Sequence, residues 1–255
     1  MQDILYQLSD ALGDEYKNLL KSVRKAPSRN MDTTSWRIDG RNCGLWTFVT
    51  KSEAIFLVAE SNSHEIALNI LGKHNGTDIH DRFNAFETLA SKTKNPQQYC
   101  WAHIISDAKE LEEFYGDEGL RIKRSLKSIY NQAKSFNGKG NSEDIEHLYH
   151  RLVFRLDTGH EHIHSRKFVE NLLKKRKEWL FMFAVDPSVD ATNNRAERAL
   201  RPAVIDRKTS GSSRSGLGAD AYDRLHSIFY TTKIRKKSFM REVPRMMASK
   251  KPHPG

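Results

Sequence analysis

The chain has 255 residues and a mass of 29.4 kDa, enough to bury a substantial core, and its longest uninterrupted apolar run, Trp179–Val185, is far short of the roughly 20 residues needed to cross a bilayer. Its two cysteines, Cys43 and Cys100, belong to no CxxC pair, and no cleavable leader pattern opens the chain, so a disulfide scaffold is excluded and a reducing, cytoplasmic setting is expected. The net charge of +10 sits entirely at one end. From Arg198 onward there are 14 Lys and Arg against 4 Asp and Glu, while the 28 basic and 28 acidic residues before it cancel. Such a segment attracts polyanions, and nucleic acid ranks ahead of an anionic membrane because the stretch lacks a long amphipathic apolar face.

In chain order, Ile4, Leu5, Leu8, Leu12, Tyr16, Leu19 and Leu20 recur at three- and four-residue steps, which predicts one helix over the first twenty-odd residues, ended by Ala26-Pro27-Ser28. Because it starts almost at Met1 with no turn residues before it, the chain reads as a piece of something longer. Three short strands are expected next: Asn30 to Ile38 with the turn Asp39-Gly40, then Leu45 to Val49, then Ala54 to Ala59, joined as an antiparallel meander. Ser63 caps a short helix stopped by Gly72. A weak strand at Thr77–His80, a helix over Asn84–Ala90, a strand over Gln98–Ile105 and a helix over Ser106–Tyr115 complete the series. Three meander strands extended by parallel strands through helical crossovers are the element order of an RNase H-like α/β core.

From about Gly119 to Phe183 the period is purely helical. Leu120–Phe136, a stripe of Ile145, Leu148, Tyr149, Leu152 and Leu156 capped by Asn141 or Ser142, and Phe168–Phe183 read as a helical insertion. After Asp186-Pro187, Asn193 or Asn194 caps a helix over Arg195–Leu200 that Pro202 curtails or kinks. Thr209–Gly218 reads as a flexible Gly/Ser loop, Ala219–Thr232 as a last helix, and Lys250–Gly255 as a disordered tail. The expected divisions are 1–28, an N-terminal helix; 29–116, the first part of the core; 117–186, the insertion; 187–245, core completion with a basic C-terminal segment; and 246–255, a tail.

Three acids occupy informative places. Asp32 lies in the first strand, Asp81 ends the strand after the first crossover, and Glu197 lies on the short helix after the insertion. In an RNase H-like core the first two strands in question are neighbours and a later helix brings a third carboxylate, a cluster that holds hard divalent cations; otherwise these are three surface acids. A second metal signal is His160-Glu161-His162-Ile163-His164, whose alternating histidines share one face if extended and then suit zinc; lying between helices, the run reads first as a solvated loop or helix start, and the role of His160, His162 and His164 stays open. No phosphate-binding GxxxxGK[ST] loop, GxGxxG fingerprint or nucleophile elbow is present.

The sequence Thr192-Asn193-Asn194-Arg195-Ala196-Glu197-Arg198-Ala199-Leu200-Arg201-Pro202, followed by Ile205 and Arg207-Lys208, resembles the TNN-x-AERxLRP block of the DDE transposases of the insertion-sequence 66 family. Cys100-Trp101-Ala102-His103 is similar to that family's CWAH motif. Met31–Gly40 resembles its ADETxWRVDG segment, and His80–Phe86 its SDGYxAY segment. The likeness runs from the first helix to about Arg245. It implies that the chain is the catalytic half of such an enzyme, without the N-terminal DNA-binding region, and that it catalyses metal-dependent strand cleavage and strand transfer in DNA transposition.

The resemblance assigns Asp32, Asp81 and Glu197 as catalytic ligands of two Mg²⁺ ions, with Mn²⁺ as substitute. It makes Asn194, Arg198, Arg201, Arg207, Lys208 and Arg214 candidates for DNA contact. Asn193 and His103 are supporting residues, with helix capping and a satisfied core histidine as their plainer roles. DNA is the implied partner, with a homo-oligomer when active, no membrane, and a cytoplasmic, nucleoid-associated location. Thr33 stands where the family usually has Glu, and Arg82 where it has Gly; a basic Arg82 beside the metals would bind phosphate or compete with a cation. The alternatives are an inactive truncated remnant that only binds DNA and an RNase H-like nuclease without strand transfer.

Overall fold

Asp39 and Gly40 both take positive φ, 49° and 76°, the mirror-image turn whose hand matches twisted strands. It folds β1 (Ser28–Ile38) onto β2 (Arg41–Val49) with Ile38 opposite Arg41 and Asn30 opposite Val49. β2 continues antiparallel into β3 (Ala54–Ala59). The computed structural model describes residues 2–72 and 74–248, and in it the chain forms two units. The first takes in the residues up to Gly76, Asn84–Thr93 and those from Asn194 on; the second holds Thr77–Phe83 and Lys94–Asn193. The architecture is mixed α/β, and the order through the first half is three strands, helix, strand, helix, strand, helix.

In the first unit the meander is covered on both faces. One face buries Met31, Trp46, Phe48 and Ile55 against α2 (Gly13–Lys25), α3 (His64–Leu71) and α4 (Asn84–Thr93), through Leu19, Val23, Ala67, Leu71, Phe86 and Leu89. The other buries Trp36, Leu45, Val49, Ala54 and Phe56 against α9 (Asn194–Ser210) through Ala196, Ala199, Leu200 and Ala203. Small side chains on this helix let its backbone come close to the strands.

The free edge of β3 is closed by side chains of α10 (Gly216–Ile234). The N–H groups of Ala54, Phe56 and Val58 donate to Thr231 Oγ1, Ser227 Oγ and Asp223 Oδ1 at 3.0, 2.8 and 2.8 Å. Two residues of strand advance about 6.6 Å and four of helix about 6 Å, so the two spacings match and the edge is saturated without another strand. Burial pushes the Asp223 carboxyl well above the usual carboxylate range. Thr231→Val keeps the shape but orphans the buried Ala54 N–H. It is expected to cost about 1–3 kcal/mol, read as a lower urea midpoint at unchanged slope.

In the second unit β4 (Thr77–His80) pairs in parallel with β5 (Gln97–Tyr99). The helices α5 (Trp101–Ser135), α6 (Ser142–Leu156), α7 (Ile163–Leu173) and α8 (Lys177–Val185) enclose a core that includes Trp101, Ile122, Leu126, Leu148, Leu152, Leu180 and Phe181. Asn141 caps α6 reciprocally with Asp144, the first of the two caps expected from sequence.

Several expected elements are redrawn. The first helix is two, α1 (Gln2–Ala11) and α2, separated at Leu12. The strand expected to reach Ile105 stops at Tyr99, and α5 starts at Trp101, since Trp101 and Ile104 bury their side chains in the helical core. The helices expected on either side of Gly116 are both present, and they meet within α5 at a break where Tyr115 and Gly116 leave helical geometry and Gly116 takes φ 53°. Phe168–Phe183 divides into α7 and α8. The helix expected to falter at Pro202 runs through it to Ser210, and α11 (Phe239–Ala248) was not foreseen. Lys250–Gly255 lies outside the described residues.

Candidate active site

The alanine stripe of α9 dictates where Glu197 goes. With Ala196, Ala199 and Ala203 turned onto the sheet, Glu197 falls at the margin of that contact, next to the β1 segment carrying Asp32. Asp32, Thr33, Thr34, Glu197, Leu200, Arg201, Val204 and Ile205 line one cleft of about 440 Å³. Both acids are half-buried. Asp32 Oδ1 accepts the Thr33 N–H at 2.8 Å, which fixes one carboxylate oxygen to its own backbone.

Thr33, standing at the family's usual Glu, donates its hydroxyl to Asn62 Oδ1 at 2.8 Å. That approach depends on Gly44, opposite Ser35 in the register, because a Cβ there would collide with the Asn62 side chain. Neither residue was singled out by sequence; the signal available was a glycine inside a strand, the mark of a close approach.

Among the basic candidates, Arg201 lines the cleft and is exposed, as are Arg198, Lys208 and Arg214. Arg207 is engaged differently. Its guanidinium donates to the Ser35 carbonyl at 2.7 Å, to Thr34 Oγ1 at 3.3 Å and to Ser35 Oγ, tying α9 to β1 just beyond Asp32. The segment expected as a flexible loop is shorter than foreseen and partly docked. Thr209 and Ser210 end α9, Gly216 begins α10, and Ser213 exchanges backbone hydrogen bonds with Arg37 and Asp39 while its hydroxyl accepts the Trp36 indole N–H. Positive φ at Gly211 and Ser212 turns the chain back to make this possible.

A larger groove of about 680 Å³ lies on the same unit, lined among others by Trp36, Asp206, Arg214, Tyr222, His226 and Phe229. Tyr222 donates to Asp206 and stacks on His226, whose pKa burial lowers to about 4, so the ring is neutral at pH 7.

Asp81 belongs to the second unit, half-buried at the end of β4, where its Oδ1 accepts the Phe83 N–H at 3.0 Å. Arg82 forms an ion pair with Asp107 of α5, and its guanidinium carbon lies 5.8 Å from the Phe168 ring centre. The Cys100-Trp101 pair has a structural duty. The Trp101 indole donates to the Leu180 carbonyl at 2.6 Å, the Trp101 N–H to Ala191, and Cys100 Sγ accepts the Asn193 N–H at 3.1 Å. These bonds hold the segment leading to Asn193, which is fully buried just before α9. His103 is half-buried in the first turn of α5, and Asn194 is exposed as the first residue of α9.

An acid on a strand and an acid on a packed helix thus open into one cleft that Arg201 also lines. A family model described as "Transposase IS66 family" matches residues 1–221. The chain belongs to the IS66 transposase family, whose members work on DNA in transposition. No curated protein and no solved structure matches it. Among the described residues no helix is long and apolar enough to cross a membrane.

Proposed function

We propose that the chain is a DDE-type polynucleotidyl transferase with an RNase H-like core, which cleaves DNA strands at transposon ends and joins them to target DNA. The observation that supports this most is the meeting of Asp32 and Glu197, far apart in sequence, in one cleft. Asp81 is the third carboxylate by its place in the family motif. The donor set fits the cation: two carboxylates sharing a cleft repel unless a positive charge lies between them, and their oxygens are the hard ligands that Mg²⁺ and Mn²⁺ select. Two such ions, when bound, lower the pKa of an attacking water or 3′-hydroxyl and neutralise charge on the leaving oxygen.

The protein's own groups hold and aim the substrate. Arg201 at the cleft and the exposed Arg198, Lys208 and Arg214 neutralise backbone phosphates, while Arg207 and Ser213 brace the strand that carries Asp32. In cleavage, a water oxygen bonds to phosphorus as the opposite P–O bond breaks, leaving a 3′-hydroxyl and a 5′-phosphate. In joining, that 3′-hydroxyl attacks a target phosphodiester and displaces a target 3′-oxygen, so one phosphodiester forms for each one broken. Pairing two ends calls for at least two copies of the chain. If all ten excess charges contact phosphates, log K falls with log[salt] at a slope of about −9, an upper bound.

The test uses labelled duplex from the DNA flanking the gene, with Mg²⁺ or Mn²⁺. Joined products are expected, and both cleavage and joining are expected to vanish in Asp81→Asn. Cleavage that never leads to joining would instead identify a nuclease, and retention of DNA without cleavage a binding remnant. Cleavage surviving Asp81→Asn would refute the metal assignment.

A further inference from the structure

At the bend of α5, Glu118 is buried, 7% exposed, and its carboxylate meets the segment that opens α7. Oε2 accepts the Glu161 N–H at 2.8 Å and lies 3.5 Å from His162 Nδ1. Oε1 makes no close hydrogen bond among the described residues, and the buried Ser165 hydroxyl and the His162 N–H also face this carboxylate. One ligand atom from each of Glu118, Glu161 and His162 lies within 4.8 Å of the others. Among the described residues no Lys or Arg forms an ion pair with Glu118 or Glu161. The Tyr115 ring, 4.5 Å from the His162 ring, limits where that imidazole swings.

Two carboxylates this close, one of them buried, share no Lys or Arg, and an imidazole completes a mixed N/O set. Imidazole favours zinc over Mg²⁺ or Ca²⁺. Three protein ligands with two of them exposed leave a fourth position for water. His164 also stacks on Tyr115, 6.0 Å between ring centres, and stands outside the cluster.

We propose that Glu118, Glu161 and His162 form a Zn²⁺ site in the helical unit, separate from the Asp32–Glu197 cleft, that pins the start of α7 to the bend of α5. The ion supplies the positive charge that no Lys or Arg gives these carboxylates, and it stabilises the native unit by its binding affinity.

The test is equilibrium dialysis of the full chain against Zn²⁺ with metal analysis, and thermal melts with Zn²⁺ or Mg²⁺. In Glu197→Gln, which weakens the other acidic cleft, one Zn²⁺ per chain is expected to remain. In that background His162→Ala and Glu161→Gln, both at exposed positions that do not threaten folding, are expected to weaken binding at least tenfold and to abolish the zinc-dependent rise in melting temperature. His164→Ala is expected to change neither. Zinc retained unchanged in His162→Ala and Glu161→Gln would overturn the site. So would a loss of all binding in Glu197→Gln, or His164→Ala weakening it as much as His162→Ala, which would show loose chelation by the histidine run.

Discussion

Asp32→Asn is expected to lower strand cleavage on the order of 10³-fold while leaving the melting temperature and DNA retention at wild-type values. The separation of effects follows from the geometry. Asp32 is half-buried, and its Oδ1 accepts the Thr33 N–H, a bond that an asparagine carbonyl keeps. What asparagine removes is the negative charge in the cleft shared with Glu197. Glu197→Gln is expected to lose a similar amount. The double variant is expected to be little worse than either, because ligands of one metal centre act as a unit rather than additively. Gel-resolved cleavage of labelled duplex at saturating Mg²⁺ measures this. Activity within tenfold of wild type in either single variant would mean that the cleft is not where the chemistry occurs.

The parts of the fold readable in the sequence are those fixed by neighbours along the chain. β3 spans Ala54–Ala59 and β4 spans Thr77–His80 as read, α3 stops at Gly72, whose φ of 58° suits glycine, and Asn141 caps α6. The misreadings come where distant packing decides. Trp101, Ile104 and Ile105 favour strand by type, yet the indole bond to Leu180 and the burial of Trp101 and Ile104 among helices set them in α5. Pro202 forfeits a backbone bond inside α9, and the contact of Ala196, Ala199 and Ala203 with the strands outweighs it. In the site, Asp32 and Glu197 stand out by their places on the first strand and on the helix after the insertion, and the motif resemblance assigns them as ligands. Spacing alone leaves each an ordinary surface acid, because only the folded sheet and helix bring them to one cleft. Asn62, Gly44 and Ser213 escaped notice because each acts through a partner remote in sequence.

Ala199→Leu tests whether that close helix-to-sheet contact governs the chemistry. Ala199 is fully buried among Trp36, Leu45, Val49 and Phe56, all themselves buried, so three added carbons have no void to enter. Overpacking is expected to cost about 1–3 kcal/mol of stability, and α9 must shift away from the strands to relieve it. Glu197 rides on that helix two residues earlier, whereas Asp32 is held in the β1–β2 register opposite Thr47. A displacement of about 1 Å between them is expected to lower cleavage on the order of 10²-fold, far more than the small rise in unfolded chain would cause. Urea melts and single-turnover cleavage on the same preparations separate the two effects. A stability loss in Ala199→Leu with cleavage per folded molecule intact would show that the acids keep their geometry without the alanine contact, and that the stripe serves folding alone.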